Sequence, residues 1–441
     1  MTRLFLNTVL FAFIIVFLSA CKLASEDNDE SSNIIVQNDQ AVLDERVDDQ
    51  QQVVDIEVDT TVSTKPGFAP KSKDDKAAEL TLTLVAQVSA PTHDGQTLQA
   101  TDVRASGNKA YVTYNVAGEV FMGAVEVYNI TDSSAPVLES TAIFVDTDIN
   151  GVAIHGNDLY LAGATSDSSY ATPAVLKRIT LSGGVLTDTV VTVEMPSFAA
   201  TDVEVAGNYI YVTTGADDGQ IVLLSQSDLS EEARYSAVDA RGVDSDSADV
   251  AVVTGSNGDS SLSAQLISFD KNLGTKSDPV NVAGATIKHS KSTIEIKKNK
   301  AILAMGDGGT QVMCVADGAS YGDVLKTIAN PDPVVTGVSA ELSVANAATA
   351  YKRSLFMANG EAGVYVAIAD ENLDANACTV DTLDLVGKLA LDDILIDGQQ
   401  VAQSVNHILY RNDVLFVAAG LGGLKIIEVS DDVATEDNDD K

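Results

Sequence analysis

"NHILYRNDVLFVAAGLGGLKIIEVSDD", residues 406–432, reads as two strands, a glycine turn and a third strand, after which the chain runs into acidic residues and stops. No further strand follows to cover the edge at 424–431. What covers it decides the architecture, because a long unpaired strand edge invites aggregation. The candidate partner lies far upstream: "LTLTLVAQV" (80–88) alternates strictly and has no hairpin of its own.

Between Glu79 and Ser430 one pattern recurs. "TDVRASGNKAYVTY" (101–114), "NGVAIHGNDLYLAG" (150–163) and "TDVEVAGNYIYVTTG" (201–215) each give a strand, a Gly-Asn turn and a second strand rich in Val and Tyr. This is a β-hairpin signature. Weaker copies start at 245, 292, 346 and 406, making seven with a period of about 40–60 residues, the range of propeller blades. A third strand follows every hairpin, and a fourth follows six of the seven, as at "LESTAIFV" (138–145) and "VVTVEM" (190–195). Strand 80–88 supplies the missing fourth. The sequence therefore predicts an all-β fold, a seven-bladed β-propeller over 79–430 closed by an N-terminal strand. A two-sheet sandwich would suit the strand count alone, but it does not predict a fourfold rhythm with one circularly displaced member.

The flanks read differently. Thr2 and Arg3 precede an apolar run of ten, "VLFAFIIVFL" (9–18), too short to span a bilayer and right for a signal-peptide core. "LSAC" (18–21) resembles the bacterial lipobox, which implies a signal peptide at 1–20 and lipidation of Cys21 as the mature N-terminus. An ordinary secretory signal containing a cysteine is the alternative. By the sorting rule of such lipoproteins, Lys22 in place of aspartate implies the outer membrane rather than the inner. Residues 21–78 are polar and acidic with Phe68 as the only aromatic, so they are expected to be a disordered tether, or else a binding tail. The acidic tail 431–441 is expected to hang free. The formal net charge of −37 excludes nucleic acid and other polyanions as partners.

The repeats carry a second resemblance. "TDVEVAGNYIYVTTGADDGQIVLLS", the first copy with "AVEVYNITDSSAPVL", and "GGLKIIEVSD" (422–431) resemble the bacterial LVIVD repeat, a "DVxVxGNxxYV" hairpin running into a "GLxIVDVSDP" strand. Glu428 stands where that pattern has aspartate. Membership would imply an extracytoplasmic propeller, often a lipoprotein, that serves as a binding scaffold; it transfers no catalytic residue. The chain has no Trp, so nothing in it resembles WD repeats, the sialidase Asp-box or the tryptophan docking motif of quinoprotein propellers.

Four chemical signals remain. "GASYG" (318–322) matches the G-x-S-x-G nucleophile elbow around Ser320, but it lies between two strands where that motif needs a strand-to-helix turn. "DTDING" (146–151) matches half a calcium loop through Asp146, Asp148 and Asn150, without the glutamate at position twelve; an inter-blade turn is the alternative. Cys314 and Cys378 are able to pair in an oxidising compartment if the fold brings them together. Finally, aligning the copies on the hairpin turn puts Asp102, Gly151, Asp202, Gly242, Thr293, Ala347 and His407 at one position of the channel-lining strands. The preceding position holds Thr101, Asn150, Thr201, Arg241, Ser292, Asn346 and Asn406. Asp102, Asp202, Arg241, His407 and Asn406 thus form a candidate site at the channel mouth, unless these positions are polar only because they start strands.

Three functions fit. The first is a surface- or periplasm-facing scaffold binding a protein or glycan. The second is a metal-dependent hydrolase or lyase using His407, Asp102 and Asp202 as ligands, and the third a structural subunit of an envelope complex. Only four His are present, a poor supply for a metal centre, so the scaffold leads and no cofactor is assigned beyond calcium as a candidate.

Overall fold

A computed structural model describes residues 33–46, 54–56 and 80–431, apart from 119, 247–248, 288–289, 331–337, 390 and 397. The expected signal peptide (1–20), Cys21 and residues 432–441 lie outside the described residues, while Asp431 still belongs to the last strand.

Seven antiparallel sheets form the seven blades. Their innermost strands are Gln99–Ser106, Thr147–His155, Ala200–Ala206, Ala240–Ser245, Thr293–Lys297, Ala347–Tyr351 and His407–Arg411. Each contacts the next, and the seventh contacts the first, so the ring closes. The last blade is completed as expected: Leu80–Val88 pairs with Leu424–Asp431, Leu80 opposite Asp431 and Val88 opposite Leu424.

The strands read as nearly continuous apolar runs because both faces of each blade are buried. In blade one, Tyr111, Val125 and Phe144 face blade two, whereas Val112, Tyr114 and Leu138 face blade seven. Side chains alternate across a strand, so each blade feeds two such interfaces. Seven apolar clusters result, one between each pair of neighbouring blades. The hairpin turns explain why the repeat blurs: Gly107, Gly156 and Gly207 take a positive φ, and Lys298, Lys352 and Asn412 hold the same left-handed position in blades five to seven. The fold needs the conformation there, not the glycine.

Part of the expected tether is folded. Ile34–Gln37 adds a fifth strand to blade one, with Ile34 opposite Phe144 and Gln37 opposite Thr141. Asp39 then caps a one-turn helix, Gln40–Asp44, whose Leu43 is buried in the cluster between blades seven and one. Arg46 reaches the Glu126 carboxylate, whose side chain is 0% exposed and also accepts from the hydroxyls of Tyr128 and Thr141. Val54–Ile56 similarly pairs with Leu80–Val88. Acidic composition concealed these segments, because a docked edge strand borrows its apolar partners from the blade it joins. Replacing Arg46 with Met is expected to destabilise the protein by about 3–5 kcal/mol, since it strands a buried carboxylate. Denaturant unfolding of Arg46→Met, Glu126→Gln and the double variant checks it, the double variant recovering most of the loss.

Cys314, in the third strand of blade five, is disulfide-bonded to Cys378, in the loop following the third strand of blade six, with Cα atoms 5.3 Å apart. The bond closes a loop of 64 residues, worth about 4 kcal/mol of chain entropy.

Candidate functional site

Of the residues expected at the mouth, Asp202, Arg241 and Asn406 line a cavity there, whereas Asp102 and His407 are buried and are not among its lining residues. All seven residues of the Thr101–Asn406 position line one cavity of about 660 Å³ at the mouth of the ring, with Asp202 and Thr293 from the next position below. Every innermost strand starts at this mouth and runs away from it. The loops between second and third strands, and the connections from blade to blade, therefore gather on the same face.

What these residues do there is largely mechanical. The innermost strands of the first four blades carry a β-bulge between Ala100 and Asp102, Ile149 and Gly151, Ala200 and Asp202, and Ala240 and Gly242. The bulged residue has no register partner on the neighbouring strand of its sheet, and its side chain bonds to the next blade. Thr101 Oγ1 donates to the Ile149 carbonyl at 2.9 Å, Asn150 Nδ2 to Ala200 at 2.9 Å and Thr201 Oγ1 to Ala240 at 2.8 Å. Asn346 Nδ2 donates to the Val405 carbonyl at 3.0 Å, and Asn406 Nδ2 to Ala100 at 2.8 Å, across the closure. Arg241 is held by Asp239, 2.8 Å away, and donates to the Ser290 carbonyl at 2.8 Å. Thr and Asn recur at this position because a short side chain with a donor clasps blade to blade.

Asp102 and Asp202 are clasps as well. Asp102 accepts from its own chain at Val103 and from Val152 of blade two, at 2.8 and 3.1 Å. Asp202 does the same with Val203 and with Val243 of blade four, again at 2.8 and 3.1 Å. His407 Nδ1 lies 3.0 Å from Asp102 Oδ1. Burial pushes the imidazole down to about 3 against the pull of Asp102, so His407 is neutral at pH 7.

Arg104 was missed by the sequence reading. Its guanidinium lies 3.7 Å from Asp102 and 4.0 Å from Asp202, where a metal ion shared by the two carboxylates would have to sit. Strand alternation carried the signal for it, since two residues beyond Asp102 the side chain returns to the channel. The same step gives Glu204 and Asp244. Burial raises the Asp102 pKa, but His407, Arg104 and Lys291 outweigh it and hold this carboxylate well below the usual range. Asp202 is pushed up to about 6 by burial and Asp102, against Arg104. Glu204 reaches about 8 through burial and Asp244, and Asp244 about 6 chiefly through burial. Above this layer Lys291 extends from blade five across the axis, its ammonium donating to the Thr101 carbonyl of blade one at 2.5 Å.

The other candidates are placed apart. Asp146, Asp148 and Asn150 do not form a calcium loop: Thr147–His155 is a strand, and the three side chains bond to Asn33, the Met122 amide and the Ala200 carbonyl on different elements. Among the described residues, no group of three or more His, Cys, Asp or Glu converges on a metal position. Ser320 sits in the turn between the third and fourth strands of blade five, with no helix after it.

No protein-family model matches this sequence, and no curated protein matches it. Among solved structures the chain is similar to U3-55K, with a TM-score of 0.52 and 10% identity over 82% of this chain and 100% of that one. It is also similar to the WD40 β-propeller domain of Doa1, with a TM-score of 0.50 and 12% identity over 79% of this chain and 97% of that one. At such identity the likeness shows the fold alone: this chain is a seven-bladed β-propeller without the Trp of WD repeats.

Proposed function

We propose that this protein is an extracytoplasmic lipoprotein of the LVIVD-repeat kind, whose propeller is a binding scaffold engaging its partner at the mouth face. The observation that carries the reading is the 660 Å³ cavity lined by one residue position from all seven blades. A cavity at the end of a rigid ring, within the ~300–1,000 Å³ of ligand sites, is a preformed site. The mouth face also bears exposed apolar side chains on its loops, among them Phe198, Leu262, Leu342 and Leu395. The Cys314–Cys378 bond suits an oxidising compartment, and "LSAC" suits a lipid anchor. A metal-dependent hydrolase is less well supported, because Arg104 fills the space between the two carboxylates it would need.

The anchor and the site are tested separately. Cys21→Ser is expected to move the protein from salt-washed membranes into the soluble extracytoplasmic fraction, and retention in the membranes would refute the lipid anchor. Ala199 lines the cavity, so Ala199→Trp should fill the mouth and abolish capture of an envelope component by the purified protein. Capture unchanged by Ala199→Trp would move the site to another face.

A further inference from the structure

We infer that the mouth cavity takes a neutral oligosaccharide, an inference resting on the reading of the mouth as the binding site. Three observations point to this class of ligand.

The first is the lining. Amide and hydroxyl side chains dominate it, with Gln99, Asn115, Ser290 and Ser404 joining the clasping residues. Each clasping amide uses one N–H on a carbonyl, and its second N–H and spare lone pairs match vicinal hydroxyls that each donate and accept.

The second is charge. Among the described lining residues Arg241 is paired with Asp239, and Lys291, whose ammonium donates to the Thr101 carbonyl, lies in the field of Asp102 and Asp202. Glu341 adds a further carboxylate at the wall. An acidic sugar or a phosphorylated ligand would meet a chain of net charge −37, whereas an uncharged ligand is not penalised. Lys291 retains hydrogen-bonding capacity beyond its contact with Thr101, because an ammonium has three donors.

The third is an aromatic surface beside the opening. Phe198 immediately precedes the lining residue Ala199, is 58% exposed, and has its ring centroid 6.3 Å from that of Phe121 in a tilted pair. A phenyl face held by a second ring is a platform for the C–H face of a pyranose. A peptide fits less well. Peptides commonly add as a strand to free backbone, and the mouth carbonyls of Ala100, Ile149, Ala200, Ala240 and Val405 are all taken by the clasps.

Calorimetric titration of the purified protein with maltotriose, cellotriose, mannotriose and chitotriose tests this, with trigalacturonate and an unstructured peptide mixture alongside. At least one neutral trisaccharide is expected to bind. Phe198→Ala, an exposed substitution that leaves the fold intact, should weaken it about tenfold through loss of the stacking face, and Ala199→Trp should abolish it. The inference is overturned if none of the neutral trisaccharides binds, if trigalacturonate or peptide binds more tightly, or if Phe198→Ala leaves affinity unchanged. Capture of an envelope component that Ala199→Trp abolishes, without sugar binding, would leave the mouth as the site and reject the oligosaccharide.

Discussion

A chain lacking residues 22–90 is expected to aggregate on expression, whereas one lacking only 22–32 should match the intact protein in solubility and melting. The longer deletion removes Leu80–Val88, the outer strand of the last blade, and bares the edge of Leu424–Asp431. It also uncovers Ile426, Ile427 and Val429, which lie in the two clusters flanking that blade. Burying such side chains is worth about 1.5–3 kcal/mol each, and without the outer strand the last blade is left with three strands. A deletion of 22–48 falls between the two: the ring stays closed, but Leu43 and Arg46 are lost. Size-exclusion chromatography and thermal melts of the three truncations decide the matter. A monodisperse 22–90 deletion with an unchanged melting point would show that closure does not depend on this strand.

Stability is expected to fall as pH rises from about 5 to about 9, contrary to simple acid denaturation, and Arg104→Met should steepen the fall. Asp202 and Asp244, near 6, and Glu204, near 8, hold their protons more tightly in the folded state than in the unfolded chain. Groups raised in this way contribute stability that is fully present below their unfolded pKa and is lost as pH passes the folded value. His407, held near 3, works in the opposite sense: its contribution is present above about 6.5 and is lost as pH drops toward 3. The optimum is therefore mildly acidic. Glu204→Gln should flatten the descending limb between about pH 5 and 8, an effect of a few kcal/mol for a buried group shifted this far. Arg104→Met leaves Asp102 and Asp202 without their shared guanidinium, at a cost of about 3–5 kcal/mol at pH 8 and less at pH 5. Denaturant midpoints across pH for the three proteins give the answer. A wild-type midpoint that keeps rising to pH 9, or a Glu204→Gln profile parallel to it, would contradict the assignment.

The blade count, the closing strand and the register of the channel-lining residues were all legible in the sequence. They rest on local periodicity and on a repeat, and both are written in consecutive residues. The convergence of Thr101, Asn150, Thr201, Arg241, Ser292, Asn346 and Asn406 on one end of the ring was legible for the same reason: equivalent residues of repeated blades occupy equivalent places. Their roles were not. Whether Asp202 faces a ligand or accepts from Val243, 41 positions further on, depends on the chain between them returning at the right height. The position of Arg104 between two carboxylates is set by the diameter of the ring. The same holds for Arg46, which finds Glu126 across 80 residues of separation, and for Cys314 and Cys378, whose meeting depends on how two blades pack. Sequence by itself determined which strands form and in what order, because backbone pairing follows alternation along the chain. Only the tertiary structure decided which charges meet, because electrostatic partners are chosen by distance through space and by burial, and neither is a property of any one segment.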